Sequence, residues 1–468
     1  MLFSSPEFLF LFLPLTVLIY FLVPCKWRNI ALLIVSLLFY GWGEPIYVFL
    51  MIGTIIADYI FGYFVGKFND DKSKAKKVLL GSVIFNLSIL AFFKYADFFI
   101  ENLARIPFLS FLSPLGIALP IGISFYTFQA LSYVIDVYRG EAKVQKNIIN
   151  FGTYVTLFPQ LIAGPIVRYH DIDKQLSERE HSVSLAASGM RTFVVGLAKK
   201  LLIANAAGEL WERFSTLPMD ERTVVGAWFG LLCYTLHIYF DFSGYSDMAI
   251  GLGKIFGFRF LENFNYPYIS KSITDFWRRW HISLSTWFRE YLYIPLGGNR
   301  KGVGRTILNL LVVWFLTGFW HGADWNFIIW GLYYFVLLVI EKQFLGKYLD
   351  KIPKAFSHIY SLFFIMIGWL IFATNNTAEG LLYLKSLFGI SVPAFATGAD
   401  VYEILRNTVL VVIALIGSTP YPKQKFYSLC ERKSCYFTVA NIATVLLLVI
   451  CTAYMINSSY NPFLYFRF

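Results

Sequence analysis

The chain has 468 residues, of which 57% are hydrophobic and only 15% charged, and its mean hydropathy is positive. An average soluble domain carries roughly a quarter charged residues, so a soluble globular protein, a disordered chain, a disulfide scaffold and a collagen-like fibre are excluded and a polytopic membrane protein is expected. Lysine and arginine nevertheless outnumber aspartate and glutamate by 40 to 29, a formal charge of +11.

In chain order, the first apolar run (7–24) has no basic n-region and no small-residue cleavage site before or after it. It predicts a retained first span, not a cleaved signal peptide. Further runs lie at 30–43, 46–66, 78–93, 115–138, 187–204, 224–240, 359–373, 405–418 and 438–456. Basic residues alternate between the connecting segments. Lys26 and Arg28 follow the first run; Lys67, Lys72, Lys74, Lys76 and Lys77 follow the third; Arg139, Lys143 and Lys146 follow the fifth. The segments around Glu44 and 94–113 are neutral or balanced, and 206–223 is net acidic. The positive-inside rule then puts the N-terminus outside and the basic loops in the cytoplasm. The basic segments 271–305, Lys342 to Lys354 and Lys423 to Lys433 fall on the cytoplasmic side by the same rule, and the closing 461–468 outside or at the outer interface. Aromatic residues (19%) suit interfacial belts. The five cysteines, Cys25, Cys233, Cys430, Cys435 and Cys451, form no Cys-x-x-Cys pair and predict neither a disulfide framework nor a zinc site.

Several polar residues fall inside apolar runs. Asp58, Gln129 and Asp136 predict hydrogen bonds between helices. His237 and Asp241 stand at i and i+4 on one helix face. Two ligands do not make a metal site, and a buried His–Asp hydrogen bond is the expectation, since intramembrane polar groups tend to pair.

Residues 307–319 and 325–340 are apolar arms around Gly318-Phe319-Trp320-His321-Gly322-Ala323-Asp324. The first arm is roughly 20 Å long at 1.5 Å per residue, against a hydrocarbon core of roughly 30 Å. With both ends cytoplasmic, the arms predict a turn inside the membrane, His321 deep within it, and Asp324 as N-cap of the returning arm. An intramembrane ionisable residue is a functional candidate; the structural alternative is a histidine satisfied by a carbonyl or by water.

Just upstream, Trp277, Trp280, His281, Leu284 and Phe288 recur at helical spacing and predict one amphipathic helix with an aromatic face. Arg278, Arg279 and Arg289 suit phosphate oxygens, or else anionic lipid headgroups on a snorkelling helix. The Gly297-Gly298-Asn299-Arg300-Lys301-Gly302 turn has no nucleotide-binding spacing. No internal repeat or linker divides the chain, so a single membrane-embedded domain over 1–468 is expected, with a motif core at about 115–345.

These residues resemble a known family. WRRWHIS…YIPLGGNRKG and TGFWHGADWNFIIWG, carrying His281 and His321, are similar to motifs of the membrane-bound O-acyltransferases, and closest to their alginate O-acetylase branch. FSSPEFLFLFLPL, LLFYGWGEP, FFKYADFF, LPIGISFYTFQALSYVIDVYRG, LFPQLIAGPIVRY, HIYFDFSGYSDMAIGLGKIFGF, ENFNYPY and YNPFLYFRF agree as well, so the resemblance covers nearly the whole chain.

The resemblance implies an all-α polytopic fold: a ring of about ten or more transmembrane helices, with re-entrant helices, around a central tunnel. It implies that His321 is the essential histidine and His281 the second family position, which is histidine or asparagine in different branches. The implied activity is O-acetyl transfer to an exported or cell-wall polysaccharide in the bacterial cytoplasmic membrane. The donor would be a cytoplasmic thioester such as acetyl-CoA, with no permanently bound cofactor, and the partner an extracytoplasmic SGNH-type protein. Histidine suits the base that this chemistry needs near neutral pH; His321 is expected to act as that base or as a transient acyl carrier. His281 is expected to orient or polarise the thioester. Trp280, Trp320, Asp324 and Asn326 are expected to support them, and Arg278, Arg279, Arg300 and Lys301 to hold donor phosphates. Besides the bilayer, donor and acceptor, no nucleic-acid partner is expected. Alternatives on the same fold are D-alanyl transfer to teichoic acid and peptidoglycan O-acetylation. A proton-coupled transporter relaying through His321, His281 and Asp241 is the alternative of a different class, but the chain shows one histidine hairpin and not the paired halves typical of transporters.

Overall fold

In the computed structural model the chain is helical, and among the described residues no β-strand forms. The structure describes residues 1–162, 164–374, 376–432, 435–457 and 460–462. Lys433 and the closing residues 463–468 lie outside these, as do the side chains of Arg432 and Cys435.

Among the described residues, seven helices are long and apolar enough to cross a bilayer: Tyr47–Lys67, Lys72–Ala104, Val224–Ile255, Val303–His321, Trp325–Leu349, Lys354–Ala373 and Tyr436–Asn457. The pair Gly398–Gly417 and Tyr421–Glu431, bent by 66°, makes an eighth when taken as one broken span. Other apolar runs form shorter helices, such as Phe8–Leu22, Arg28–Gly43 and Ile123–Arg139. Large apolar side chains such as Phe49, Val409 and Val445 stand exposed on these helices. So extensive an apolar surface drives association in water, but in a bilayer it meets lipid tails, as the polytopic all-α architecture requires.

By internal packing the residues group into two compact units, Met1–Phe193 with Ser246–Leu261, and Val194–Tyr245 with Glu262–Phe468.

In the first unit, α1 (Tyr47–Lys67) and α2 (Lys72–Ala104) form a hairpin, with Lys67 ending α1 and Lys72, Lys74, Lys76 and Lys77 in the first turns of α2. Asp71 starts α2 by accepting from Lys74 N at 3.1 Å, the usual role of an N-cap aspartate. Buried Asp58 accepts from Ser82 Oγ at 2.9 Å and Asn86 Nδ2 at 2.8 Å, so it is the interhelical tie its sequence context predicts. Asp136, on α3 (Ile123–Arg139), bonds His170 Nδ1 at 2.8 Å, which joins α3 to α4 (Tyr169–Ser177). Gln129 departs from expectation: its buried side-chain amide has no partner among the described residues. Its backbone carbonyl instead accepts from Ser132 Oγ and Tyr154 Oη.

In the second unit, His237 and Asp241 do not behave as the sequence suggests. Each takes a partner from the π-helical turn Lys199–Ala204. His237 Nδ1 donates to Ala204 O at 2.7 Å, and Asp241 meets Lys200 Nζ at 2.6 Å, both ions buried. A buried carboxylate gains more from an ammonium than from a neutral imidazole, which accounts for the choice. Lys200 Nζ also donates to Pro462 O.

The sequence understates the histidine hairpin. The helix α7 begins at Val303, on the basic turn, and runs nineteen residues to His321. At 1.5 Å per residue that is about 28 Å, close to the hydrocarbon thickness of roughly 30 Å. The length argument for a turn inside the membrane at His321 therefore fails, because the helix extends four residues before the apolar run. The returning helix α8 (Trp325–Ile340) packs closely along α7. Gly318 and Gly331 make that approach possible: a Cβ on Gly318 would lie 2.3 Å from Phe327 O, and one on Gly331 would lie 2.3 Å from Trp314 O.

Candidate active site

The re-entrant element lies upstream of where the sequence places it. The amphipathic stretch 273–288 is two helices, α5 (Ile273–Arg279) and α6 (Ile282–Phe288), that reverse at Trp280-His281. Trp280 is extended and His281 adopts a left-handed conformation, φ 45° and ψ 55°. The three- and four-residue spacing is kept on either side of the reversal, so periodicity alone cannot reveal it. Ser285 Oγ donates to Trp277 O at 3.4 Å, folding α6 back against α5.

The hairpin climbs along the α7–α8 pair. At its base, Glu341 at the end of α8 accepts from Ile273 N and Thr274 N. Halfway up, Trp277 packs on Trp314, Trp330 and Tyr334, at ring-centroid distances of 4.7, 5.5 and 4.9 Å. At the top, Trp280 lies 4.6 Å from Trp369 and 5.0 Å from Phe264. Beyond it, His281 meets Phe242 at 4.7 Å and Trp320 at 6.3 Å. A segment that starts on the basic side thus carries a histidine to the level of the last turn of α7. On the return, Asn309 Nδ2 donates to Gly298 O at 2.8 Å and Arg305 Nε to Leu296 O at 3.2 Å, anchoring the Gly-rich turn to the start of α7.

A left-handed conformation is costly for a residue with a Cβ, and Asn263 holds it in place. Ile282 N donates to Asn263 O at 2.9 Å. Asn263 Oδ1 accepts from Ser283 N at 3.2 Å and Ser283 Oγ at 2.9 Å, and lies 3.1 Å from His281 Nδ1. The backbone N–H of Ser283 can only donate, so the amide atom facing it is the oxygen. His281 Nδ1 must then carry the proton, and Nε2 bears the lone pair. Sequence reasoning missed Asn263; its only sign was its place in the ENFNYPY segment.

His321, 6% exposed, ends α7 in an aromatic box. Trp320, Trp330 and Phe372 stand 5.0, 5.0 and 5.4 Å from it, nearly edge-on. Trp320 therefore lies against both imidazoles. Asp324 Oδ1 accepts from Trp325 N at 2.5 Å as the cap of α8. Asn326 Nδ2 donates to Thr374 O at 2.8 Å, tying that end of the hairpin to the end of Lys354–Ala373. The proposed phosphate ligands fall into two groups. Arg278 and Arg279 are on the upper turn of α5; Arg278 is exposed, and Arg279 bonds Asp275 Oδ1 at 2.9 Å. Arg300 and Lys301 are exposed in the basal turn before α7.

The arrangement sets two buried imidazoles against one indole, Trp320, a constellation suited to moving protons on and off a reacting oxygen or sulfur. The model of the membrane-bound O-acyltransferase family matches residues 141–382, which include both histidines and the whole hairpin. The chain is 40% identical to a probable alginate O-acetylase of Pseudomonas putida, over all of both chains. It is 44% identical to another from Azotobacter vinelandii, over 80% of this chain and 76% of the relative. It is 33% identical to a peptidoglycan O-acetyltransferase of Helicobacter pylori, over 100% of this chain and 98% of the relative. The chain belongs to the membrane-bound O-acyltransferase family and is a multi-pass membrane acyltransferase.

Proposed function

We propose that this acyltransferase takes an acetyl group from a cytoplasmic thioester such as acetyl-CoA and passes it to hydroxyls of an exported polysaccharide. The enzyme would work in the bacterial cytoplasmic membrane with an extracytoplasmic SGNH-type partner. The observation that carries the proposal is the pair His281 and His321, both buried and both against Trp320. The full-length likeness to a probable alginate O-acetylase favours acetyl as the group and a polysaccharide as the acceptor.

In this reaction His321 takes the proton of the incoming hydroxyl as its oxygen attacks the thioester carbonyl. The tetrahedral intermediate then expels the thiolate, which leaves with the proton from the imidazolium. His281, protonated at Nδ1, offers Nε2 as an acceptor, and this favours orienting a donor hydrogen over stabilising an oxyanion. Trp320 keeps the two rings apart and excludes water, Asp324 and Asn326 fix the end of α7–α8, and Trp280 seats the hairpin. Arg300 and Lys301 at the base, with Arg278 and Arg279 above, supply positive charge for the phosphates of the donor.

The test compares acetyl esters on secreted and wall polysaccharides in cells carrying the wild type or His321→Ala. Loss of a general base costs about 10²–10⁴ in rate, so esters should fall to background. Unchanged esters would remove His321 from the mechanism. The Helicobacter pylori relative favours one second reading, peptidoglycan as the acceptor, and ester analysis of purified wall glycan distinguishes the two.

A further inference from the structure

We propose that Glu341 is a positioning residue for the His281 hairpin, the anchor that holds the base of α5 so that its apex reaches Trp320. Glu341 is almost completely buried, in a π-helical turn that follows α8. π-helical turns are uncommon and often occur at functional sites. A buried carboxylate needs several donors to offset its lost hydration, and the hairpin supplies three, beside the nearby Tyr360 hydroxyl of Lys354–Ala373. Glu341 Oε1 accepts from Ile273 N at 2.6 Å, and Oε2 accepts from Thr274 N at 2.9 Å and Thr274 Oγ1 at 2.7 Å.

The first N–H groups of a helix have no partner within it. In α5, Glu341 takes those of Ile273 and Thr274 and Ser272 Oγ takes that of Asp275, before Phe276 N makes the first regular helical bond to Ser272 O. The negative charge also sits at the positive end of the helix dipole. Seven-residue α5 is too short to hold itself together, so its stability and tilt come from this clamp and from Trp277. A shift at the base is carried along about two rigid turns to Trp280 and His281. Glu341 touches neither histidine, so its effect on catalysis runs through the hairpin.

The catalytic part of this role rests on the acyltransfer reading above; the anchoring does not. The experiment therefore has two readouts on the full chain purified in detergent. Diethyl pyrocarbonate labels accessible histidines, and peptide mass spectrometry follows His281 beside His237, a buried histidine of the same unit that lies outside the hairpin. Glu341→Gln keeps the size but replaces one acceptor oxygen with a donor facing an N–H. Its His281 should react about tenfold faster, the effect of losing roughly one charge-assisted hydrogen bond, with His237 unchanged. Acetyl transfer in the same variant should lose turnover with little change in KM for the donor. Thr274→Val removes only the third bond and should give a smaller shift in the same direction. An unchanged His281 rate in both variants, or equal increases at His281 and His237, overturns the anchor. Wild-type protein that transfers no acetyl group overturns the function proposed above and leaves the labelling result to decide the anchor alone.

Discussion

His281 Nδ1 lies 3.1 Å from Asn263 Oδ1, and the same oxygen accepts from the backbone N–H and the hydroxyl of Ser283. One side chain thus fixes both the left-handed backbone at the apex and the tautomer of the imidazole. Removing it should matter more than its modest size suggests. Asn263→Ala is expected to lower acetyl transfer about 10–100-fold, the usual cost of losing an outer partner of a functional histidine. Asn263→Asp keeps an acceptor and should recover most of that loss. Ester content of the polysaccharide, normalised to enzyme level, measures both.

The approach of α7 and α8 depends on two glycines. Gly318→Ala places a methyl group 2.3 Å from Phe327 O, whereas Gly304→Ala meets nothing within 4 Å. Overpacking of this kind typically costs about 1–3 kcal/mol. Thermal unfolding in detergent should show a lower midpoint for Gly318→Ala and no change, or a slight gain, for Gly304→Ala.

The Lys200–Asp241 pair is buried on both sides. Breaking such a pair from one side typically costs about 3–5 kcal/mol, because a lone charge remains. Asp241→Asn should therefore sharply reduce the amount of folded protein. The double change Lys200→Met with Asp241→Leu should recover much of the loss, which fluorescence size-exclusion profiles would show. A single variant as abundant as the wild type would mean that water or lipid headgroups already reach the pair.

His170 gives a pH-dependent term. Its hydrogen bond to Asp136 raises the imidazole pKa above 6.5, against a smaller opposing effect of burial. A raised folded-state value means the stabilisation is complete below pH 6.5 and fades as pH rises through the raised value. The wild type should thus exceed His170→Gln in thermal stability at about pH 5.5, and the gap should narrow by about pH 9. A gap that widens with pH would contradict the assignment.

Much of the fold was legible before any coordinates. The low charged fraction and the apolar runs required membrane helices, and Asp58 and Asp324 took the partners or caps that their neighbours implied. His321 stood out because ionisable residues are rare in such runs, and His281 because its aromatic-faced segment and that of His321 together resemble the family's motifs. The depth of the site was not legible, for two reasons. The helix ending at His321 starts at Val303-Gly304-Arg305-Thr306, a mixed turn that the apolar run beginning at 307 leaves out. The reversal at His281 preserves helical periodicity on both sides, so the aromatic spacing of Trp277, Trp280, Leu284 and Phe288 fits one helix as well as two. Asn263, which enforces the reversal, and Glu341, which holds its base, both act over distances along the chain that local patterning does not reach. The partners of His237 and Asp241 were missed likewise, because a lysine on a π-helical turn, 41 residues before Asp241, offers more than the histidine one turn away.

The central claim is that His281 and His321 together carry the acyl transfer. Its most direct test is transfer of a radiolabelled acetyl group from acetyl-CoA, supplied on the basic side of membrane vesicles, by wild type, His321→Ala and His281→Asn. Labelled product is expected with the wild type, with a loss of about 10²–10⁴ in rate for His321→Ala and a smaller loss for His281→Asn. Wild-type rates in a His321→Ala enzyme that is folded and present at the same level would contradict that claim.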